Sequence, residues 1–541
     1  MEQGKKDKQY FRLLMLVILI VQLAVISFFC MQKKGFHYDE YYSYYSSNVT
    51  YGLVPSDEEW KSTDEIRSEF NVAPDAKFSY GTVNLMQTFD VHPPLYYFLL
   101  HTVCSLTPGV FSKWQGISIN ILFFILTWIL LAKTAALLTK GNKKVIVSVC
   151  LLYGFSPAVY SGLTFIRMYM MLTFFCLLLL YIHERALLTE KRTVFSFYIP
   201  VILVSFLGFY THYYFIVFLF FVAAYTFISM LLHKENRRQA TCYAASVIAG
   251  ILLVVMAYPA CLSHIFRGYR GTEAMDAFFD IGNLVYRLSF FITMLNDYVL
   301  CFSFFFLILL ILILAVTCRY LRNELKQNTF IEESLKKEKT RKKQMIGLAV
   351  FTVMGYFLVV AKTALLNAEE AIRYEMPVYG LIILLVIFLV ASLLCRLQTE
   401  SNQKVIHGSF WIITALTLIL QLAGLFSGRV LFLYQRDVEG VTWAAQHKSE
   451  PIVYIYNQTN QWMIWDESEE LMQYDEIYFI NMEHESLKQD ARLNEADHIY
   501  VYAVRSENSD RLMQEMINQN NNLTESVKVR ELLYCDLYEL K

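Results

Sequence analysis

The 541-residue chain is 56% hydrophobic, 16% aromatic and only 18% charged, with a mean hydropathy of +0.38. Soluble domains carry nearer 25% charged residues, so a soluble enzyme is excluded at the outset. The net charge of −1 hides a split: residues 429–541 hold 10 Lys+Arg against 21 Asp+Glu, and the rest of the chain is correspondingly basic. Its basic residues lie in short connections between apolar runs and form no continuous stripe for a phosphate backbone, which excludes a nucleic-acid partner.

In chain order, the first apolar run, 13–31, follows Lys5, Lys6, Lys8 and Arg12 and ends in Phe28-Phe29-Cys30-Met31 without a small-residue cleavage site. It reads as a retained first span. Further runs long enough to cross a bilayer lie near 115–138, 144–162, 168–183, 194–210, 213–232, 241–262, 297–318, 344–361, 375–395 and 405–426, eleven in all. With a cytoplasmic N-terminus, the Lys/Arg-rich connections, including the Arg319–Lys343 loop and its Lys336–Lys343 run, fall inside, as the positive-inside rule requires. That run reads as a solvated anchor on anionic lipid headgroups. An odd span count then sends the C-terminus outside. The expected setting is a bacterial plasma membrane crossed many times.

Two outer segments are too long for turns: a first loop over 32–108, and His264–Asn296. Beyond residue 428 the pattern changes to short β-branched and aromatic runs at 451–456, 476–481 and 498–503, alternating with helical stretches at Thr459–Leu471 and Ser509–Asn518. This predicts a membrane domain over 1–428 and a small extracytoplasmic α/β domain over 429–541 with a largely parallel sheet. The ten cysteines offer neither a disulfide framework nor a CxxC metal site.

Five strings carry candidate chemistry. His37-Tyr38-Asp39-Glu40-Tyr41-Tyr42 sets two acids just beyond the first span, where a carboxylate can serve as general base for a hydroxyl. Asp90-Val91-His92-Pro93-Pro94-Leu95-Tyr96-Tyr97 starts a helix, since proline suits a first turn, but an ordinary helix start has no need of Asp90 and His92. Arg167-Met168-Tyr169, Thr211-His212-Tyr213-Tyr214 and Glu369-Glu370-Ala371-Ile372-Arg373-Tyr374 place arginines and a histidine at helix ends. All five fall on the predicted outer face, where positive-inside would disfavour arginine. Acids for base work with cations for an anion, gathered at one membrane face, point to a phosphate-bearing lipid substrate.

These strings, in this order, resemble the GT-C membrane glycosyltransferases over roughly residues 10–430. The branch is that of the protein O-mannosyltransferases, aminoarabinose transferases and Rgt-type sugar transferases, similar to glycosyltransferase family 39. The resemblance implies a polytopic α-helical fold with the catalytic acid in a large first outer loop, and a polyprenyl-phosphate sugar donor. Asp39 matches the catalytic acid and Arg373 the arginine near the donor phosphate. Many relatives carry an acid or amide just before the Arg-x-Tyr arginine, whereas Phe165-Ile166 precede Arg167 here.

The expected activity is transfer of a sugar, with inversion, to an acceptor hydroxyl on a glycan, lipid or protein at the outer face. Asp39 acts as base with Glu40 beside it. Arg373, Arg167 and His212, with Tyr169, His92, Asp90 and Tyr374, hold the donor. No nucleotide or bound cofactor is required; a divalent cation is compatible with the reaction, but the His/Asp spacing defines no ligand set. The rival class, a transporter or lipid flippase, places ionisable residues near mid-membrane on broken helices in paired halves. Here the candidate charges sit at one face, and matching halves are absent.

Overall fold

The computed structural model describes residues 2–49, 57–232, 237–324, 333–435 and 437–541. Part of the basic loop, 325–332, lies outside the described residues, as do the side chains of Lys336, Lys337 and Lys339. The chain divides into two compact units. One comprises Met1–Cys30, Asp90–Tyr96 and Ile117–Leu431; the other comprises Met31–Phe89, Tyr97–Gly116 and Phe432–Lys541.

The first unit is a helical bundle. Among the described residues, eight helices are long and apolar enough to cross a membrane, and two bent pairs bring the number to ten. The eight coincide with eight of the eleven expected runs. The expected 144–162 run is a bent pair, and those near 194–210 and 213–232 are shorter helices, Val194–Phe209 and Phe215–Leu231. The expected outer segment His264–Asn296 is not a loop but most of the second bent pair, Ala260–Phe279 with Ile281–Val299. Its polar and charged positions had lowered the apolar signal without preventing helix formation. The helix Tyr169–Thr189 packs against Ile199–Phe209, Phe215–Leu231, Glu333–Thr363 and Met376–Leu397. Outward-facing side chains such as Leu309, Leu312, Ile313 and Val316 are exposed, as suits a surface solvated by lipid tails.

The first bent pair, Lys143–Gly154 and Pro157–Thr164, turns by 51°. Pro157 has no N–H to give the preceding turn, where the Leu151 carbonyl keeps the Phe155 N–H (3.1 Å) and the Tyr153 carbonyl takes that of Ser156 (3.3 Å). Two buried glutamines add further donors around the break. Gln22 donates to the carbonyls of Cys150 (3.0 Å) and Leu151 (3.2 Å), and Gln421 donates to those of Leu152 (2.9 Å) and Val299 (2.7 Å). A break at membrane depth persists only where side chains satisfy the freed backbone in this way. Its outcome is a second short helix that ends at Thr164, three residues before Arg167.

The second unit is built on a six-stranded sheet: β1 (Glu59–Ser62), β2 (Ile452–Tyr456), β3 (Glu476–Asn481), β4 (Ile499–Val504), β5 (Ser526–Glu531) and β6 (Cys535–Leu540), in the order β1-β3-β2-β4-β6-β5. Only β3, β2 and β4 run parallel; β1, β6 and β5 pair antiparallel. The largely parallel sheet expected from 429–541 is therefore a mixed one. The tight Glu531-to-Cys535 connection can only return the chain antiparallel, and β1 comes from the first loop. Central β2 and β4 are buried throughout, as strands covered on both faces must be. Helix Glu507–Gln519 lays Leu512, Met513 and Met516 on a core of Val453, Ile455, Ile480, Ile499 and Val501.

Candidate active site

Asp39 stands in the first turn of the Tyr38–Asn48 helix, in the second unit. His37 caps that helix: its Nδ1 accepts from the backbone N–H of Asp39 at 3.0 Å, which leaves the neutral ring's proton on Nε2. Glu40 closes the capping box, its Oε2 accepting from the His37 N–H at 2.6 Å. The same oxygen accepts from Lys33 Nζ at 2.8 Å, and both side chains are 0% exposed. Glu40 is thus enclosed within the fold. Asp39 differs: its carboxylate is 22% exposed, 3.7 Å from His37 Nδ1, where the helix N-terminus favours negative charge.

The remaining candidates belong to the first unit, and the fold brings them together. Asp90 Oδ2 lies 3.3 Å from His92 Nδ1. Arg167 Nη2 is 3.4 Å from both ring nitrogens of His92, so the guanidinium lies against the face of the imidazole. The rings of His92 and His212 are 5.7 Å apart, those of His212 and Tyr169 5.5 Å, and those of Tyr169 and Tyr374 5.8 Å. Arg373 closes the group. Its guanidinium is 5.1 Å from the rings of Phe165 and Tyr374, its Nη2 donates to Tyr374 Oη at 3.4 Å, and Glu370 stands 3.6 Å from Nη1. Arg167 and Arg373 are each only 4% exposed. Two nearly enclosed guanidiniums concentrate positive field where water screens it least.

The electrostatics follow from burial and this crowding. Burial favours the neutral acid at Asp90, but the positive charge of His92 and Arg167 outweighs it and holds the carboxyl at about 2. Asp90 is therefore a fixed anion beside His92. His212 is pushed well below the usual histidine value, first by burial and then by the charges of His92 and Arg167. Its Nδ1 accepts from the Tyr214 N–H at 3.0 Å. A neutral ring with that nitrogen occupied carries its proton on Nε2, so His212 is a hydrogen-bond donor that does not titrate near neutrality.

Local structure explains the placement. Leu95 N–H, at the start of the helix after Pro93-Pro94, donates to the Tyr210 carbonyl at 3.1 Å, fixing the His92 segment against the turn that carries His212. Asn120, which sequence reading passed over, donates to the carbonyls of Leu163 (3.1 Å) and Phe165 (2.7 Å) and so orients the approach to Arg167. Its signal was present: an amide inside an apolar run is costly enough to imply a partner. Lys33 was also passed over, because a lysine just after a span reads as an interfacial anchor. Among the described residues no group of three or more His, Cys, Asp or Glu side chains is arranged to hold a metal ion.

No family model and no curated protein matches the chain. Solved structures do. The chain is similar to ArnT from Cupriavidus metallidurans bound to undecaprenyl phosphate, with a TM-score of 0.51 at 10% identity, covering 99% of this chain and 98% of that one. The apo state of the same protein gives a TM-score of 0.48 at the same coverage and identity. End to end, the fold is that of ArnT: a polytopic helical GT-C fold with a small C-terminal sheet domain.

Proposed function

We propose that the protein is an inverting glycosyltransferase that moves a sugar from a polyprenyl-phosphate donor to an acceptor hydroxyl at the outer face of the membrane. The observation that carries this reading is the gathering of Arg167, Arg373, His92 and neutral His212 at one end of the helical bundle. It occurs on a fold shared over nearly its full length with a protein that binds undecaprenyl phosphate.

In the proposed reaction the acceptor oxygen attacks the anomeric carbon from the face opposite the phosphate. The bond from that carbon to the phosphate oxygen breaks, and the lipid phosphate leaves with the electron pair. Asp39, partly exposed on a rigid helix start, takes the acceptor's proton. Arg373 and Arg167 stabilise the departing phosphate by charge, and His212 offers it the Nε2 proton as a neutral hydrogen bond. Asp90 keeps His92 and Arg167 in place. Tyr169 and Tyr374 flank the cations with rings that suit the sugar's carbon face. Glu40 supports the base through the helix cap, since its carboxylate is committed to Lys33 and His37.

Incubating the purified protein with radiolabelled polyprenyl-phosphate sugars tests the reading. Consumption of at least one donor with release of polyprenyl phosphate is the expected result. Movement of intact donor across a vesicle bilayer without cleavage would instead identify a flippase.

A further inference from the structure

Lys33 is a lysine with no exposure, an expensive placement for an ammonium group unless its surroundings are built for it. Those surroundings come from two distant parts of the chain within the second unit. Its Nζ donates to Glu40 Oε2 at 2.8 Å and to the carbonyl of Phe432 at 2.8 Å. It also lies 5.4 Å from the ring of Phe36 and 5.2 Å from that of Tyr434. Phe432 and Tyr434 both adopt left-handed backbone, with φ of 63° and 52°, which bulky side chains avoid unless the surroundings impose it. A second tie runs beside the first: Lys34 N–H donates to the Leu433 carbonyl at 2.7 Å. The ring of His37, the cap of the Asp39 helix, lies 6.0 Å from Phe432 and 6.4 Å from Tyr434.

The same helix is held along its length by the C-terminal sequence. Tyr38 packs on Trp462 at 5.3 Å, Tyr42 on Trp465 at 4.4 Å, and Tyr41 Oη donates to Glu469 at 2.9 Å. We propose that Lys33 is a positioning residue for Asp39, and that residues 432–541 act as the clamp through which it works. The ammonium locks Glu40 in the helix cap and pins the strained Phe432–Tyr434 turn to it, so the carboxylate of Asp39 is aimed by contacts made some 400 residues away in sequence. This inference rests on the glycosyltransferase reading with Asp39 as base.

The test compares the full-length wild type with Lys33→Met and with the double variant Lys33→Met/Glu40→Gln, which leaves no lone buried carboxylate and so protects against simple misfolding. The readouts are kcat, donor affinity and amide hydrogen exchange. Lys33→Met should lower kcat by about 10–100-fold, the scale on which misplacement of a reacting group acts, with donor affinity within about twofold of wild type. The double variant should regain part of that loss. Exchange should quicken in the Tyr38–Asn48 helix and at 432–435 and stay unchanged in the central strands. Wild-type kcat in Lys33→Met, a fall in donor affinity matching that in kcat, or unaltered exchange at the helix would each overturn the proposal. Should the wild type itself consume no polyprenyl-phosphate sugar, the enzyme reading fails, and the exchange data alone judge the clamp.

Discussion

Asp39 and Glu40 are chain neighbours with opposite fates, because adjacent helix positions point about 100° apart. Glu40 turns inward to Lys33, and Asp39 keeps a partly open carboxylate. Asp39→Asn keeps size and polarity but cannot take a proton, and general-base catalysis is typically worth about 10²–10⁴-fold. Turnover of that variant should fall on this scale while donor binding persists, and Glu40→Gln should be milder by at least about tenfold. Near-normal turnover of Asp39→Asn in nanodiscs would remove the base. At Arg373 the need is charge in a nearly closed setting, so Arg373→Ala should cost donor binding and turnover about 2–4 kcal/mol. Arg373→Lys should cost clearly less. Equal losses for the two would mean that the planar guanidinium, stacked between Phe165 and Tyr374, matters more than its charge.

The break after Gly154 depends on amides that no propensity scale would single out. Gln421→Leu strips partners from two buried carbonyls at once, those of Leu152 and Val299, and each orphaned group costs about 1–3 kcal/mol. The variant should unfold at markedly lower denaturant in detergent, and an unchanged midpoint would show that other groups can serve those carbonyls. In the second unit, burial lifts Glu469 to about 7 against partial relief from the Tyr41 hydroxyl and Lys33, with Asp437 adding to the rise. Between an ordinary glutamate value and about 7, the folded protein retains a proton that the unfolded chain has lost. Its stability therefore declines as pH rises through that window and levels off above it. Glu469→Gln should flatten this dependence. Thermal midpoints at pH 5 and pH 8 for both proteins measure it, and an equal slope in the two would locate the titration elsewhere.

For the whole molecule, most of the spans and the three parallel strands were legible because hydropathy runs and β-branched runs are local patterns, and the charges at helix ends marked four strings that the fold gathers in the first unit. What stayed hidden was non-local. β1 is four residues, Glu-Trp-Lys-Ser, with no alternation of its own, and is a strand only because β3 supplies the edge. The sequence of Asn120 and Gln421 says that each needs a partner but not which carbonyls it will serve. Orientation is likewise a property of the complete chain. The charge pattern predicts that residues 427–541 lie outside, so Asn521→Cys, at an exposed position, should react with an impermeant maleimide in intact cells when native exposed cysteines are replaced. Reaction only after lysis would invert the topology.

The pairing of β1 with β3 also sets a clock. Glu59–Ser62 leaves the ribosome long before Glu476–Asn481, and at about 5–20 residues per second the wait is roughly 20–80 s. For most of that interval residues 38–48 are already synthesised, while Phe432, Trp462, Trp465 and Glu469, which hold the Asp39 helix, are not. A nascent chain arrested before residue 432 would carry every proposed donor contact and the proposed base, without the C-terminal contacts that hold its helix. Truncation before residue 432 should therefore yield inserted protein that does not turn over donor, and turnover equal to that of the full chain would remove the clamp.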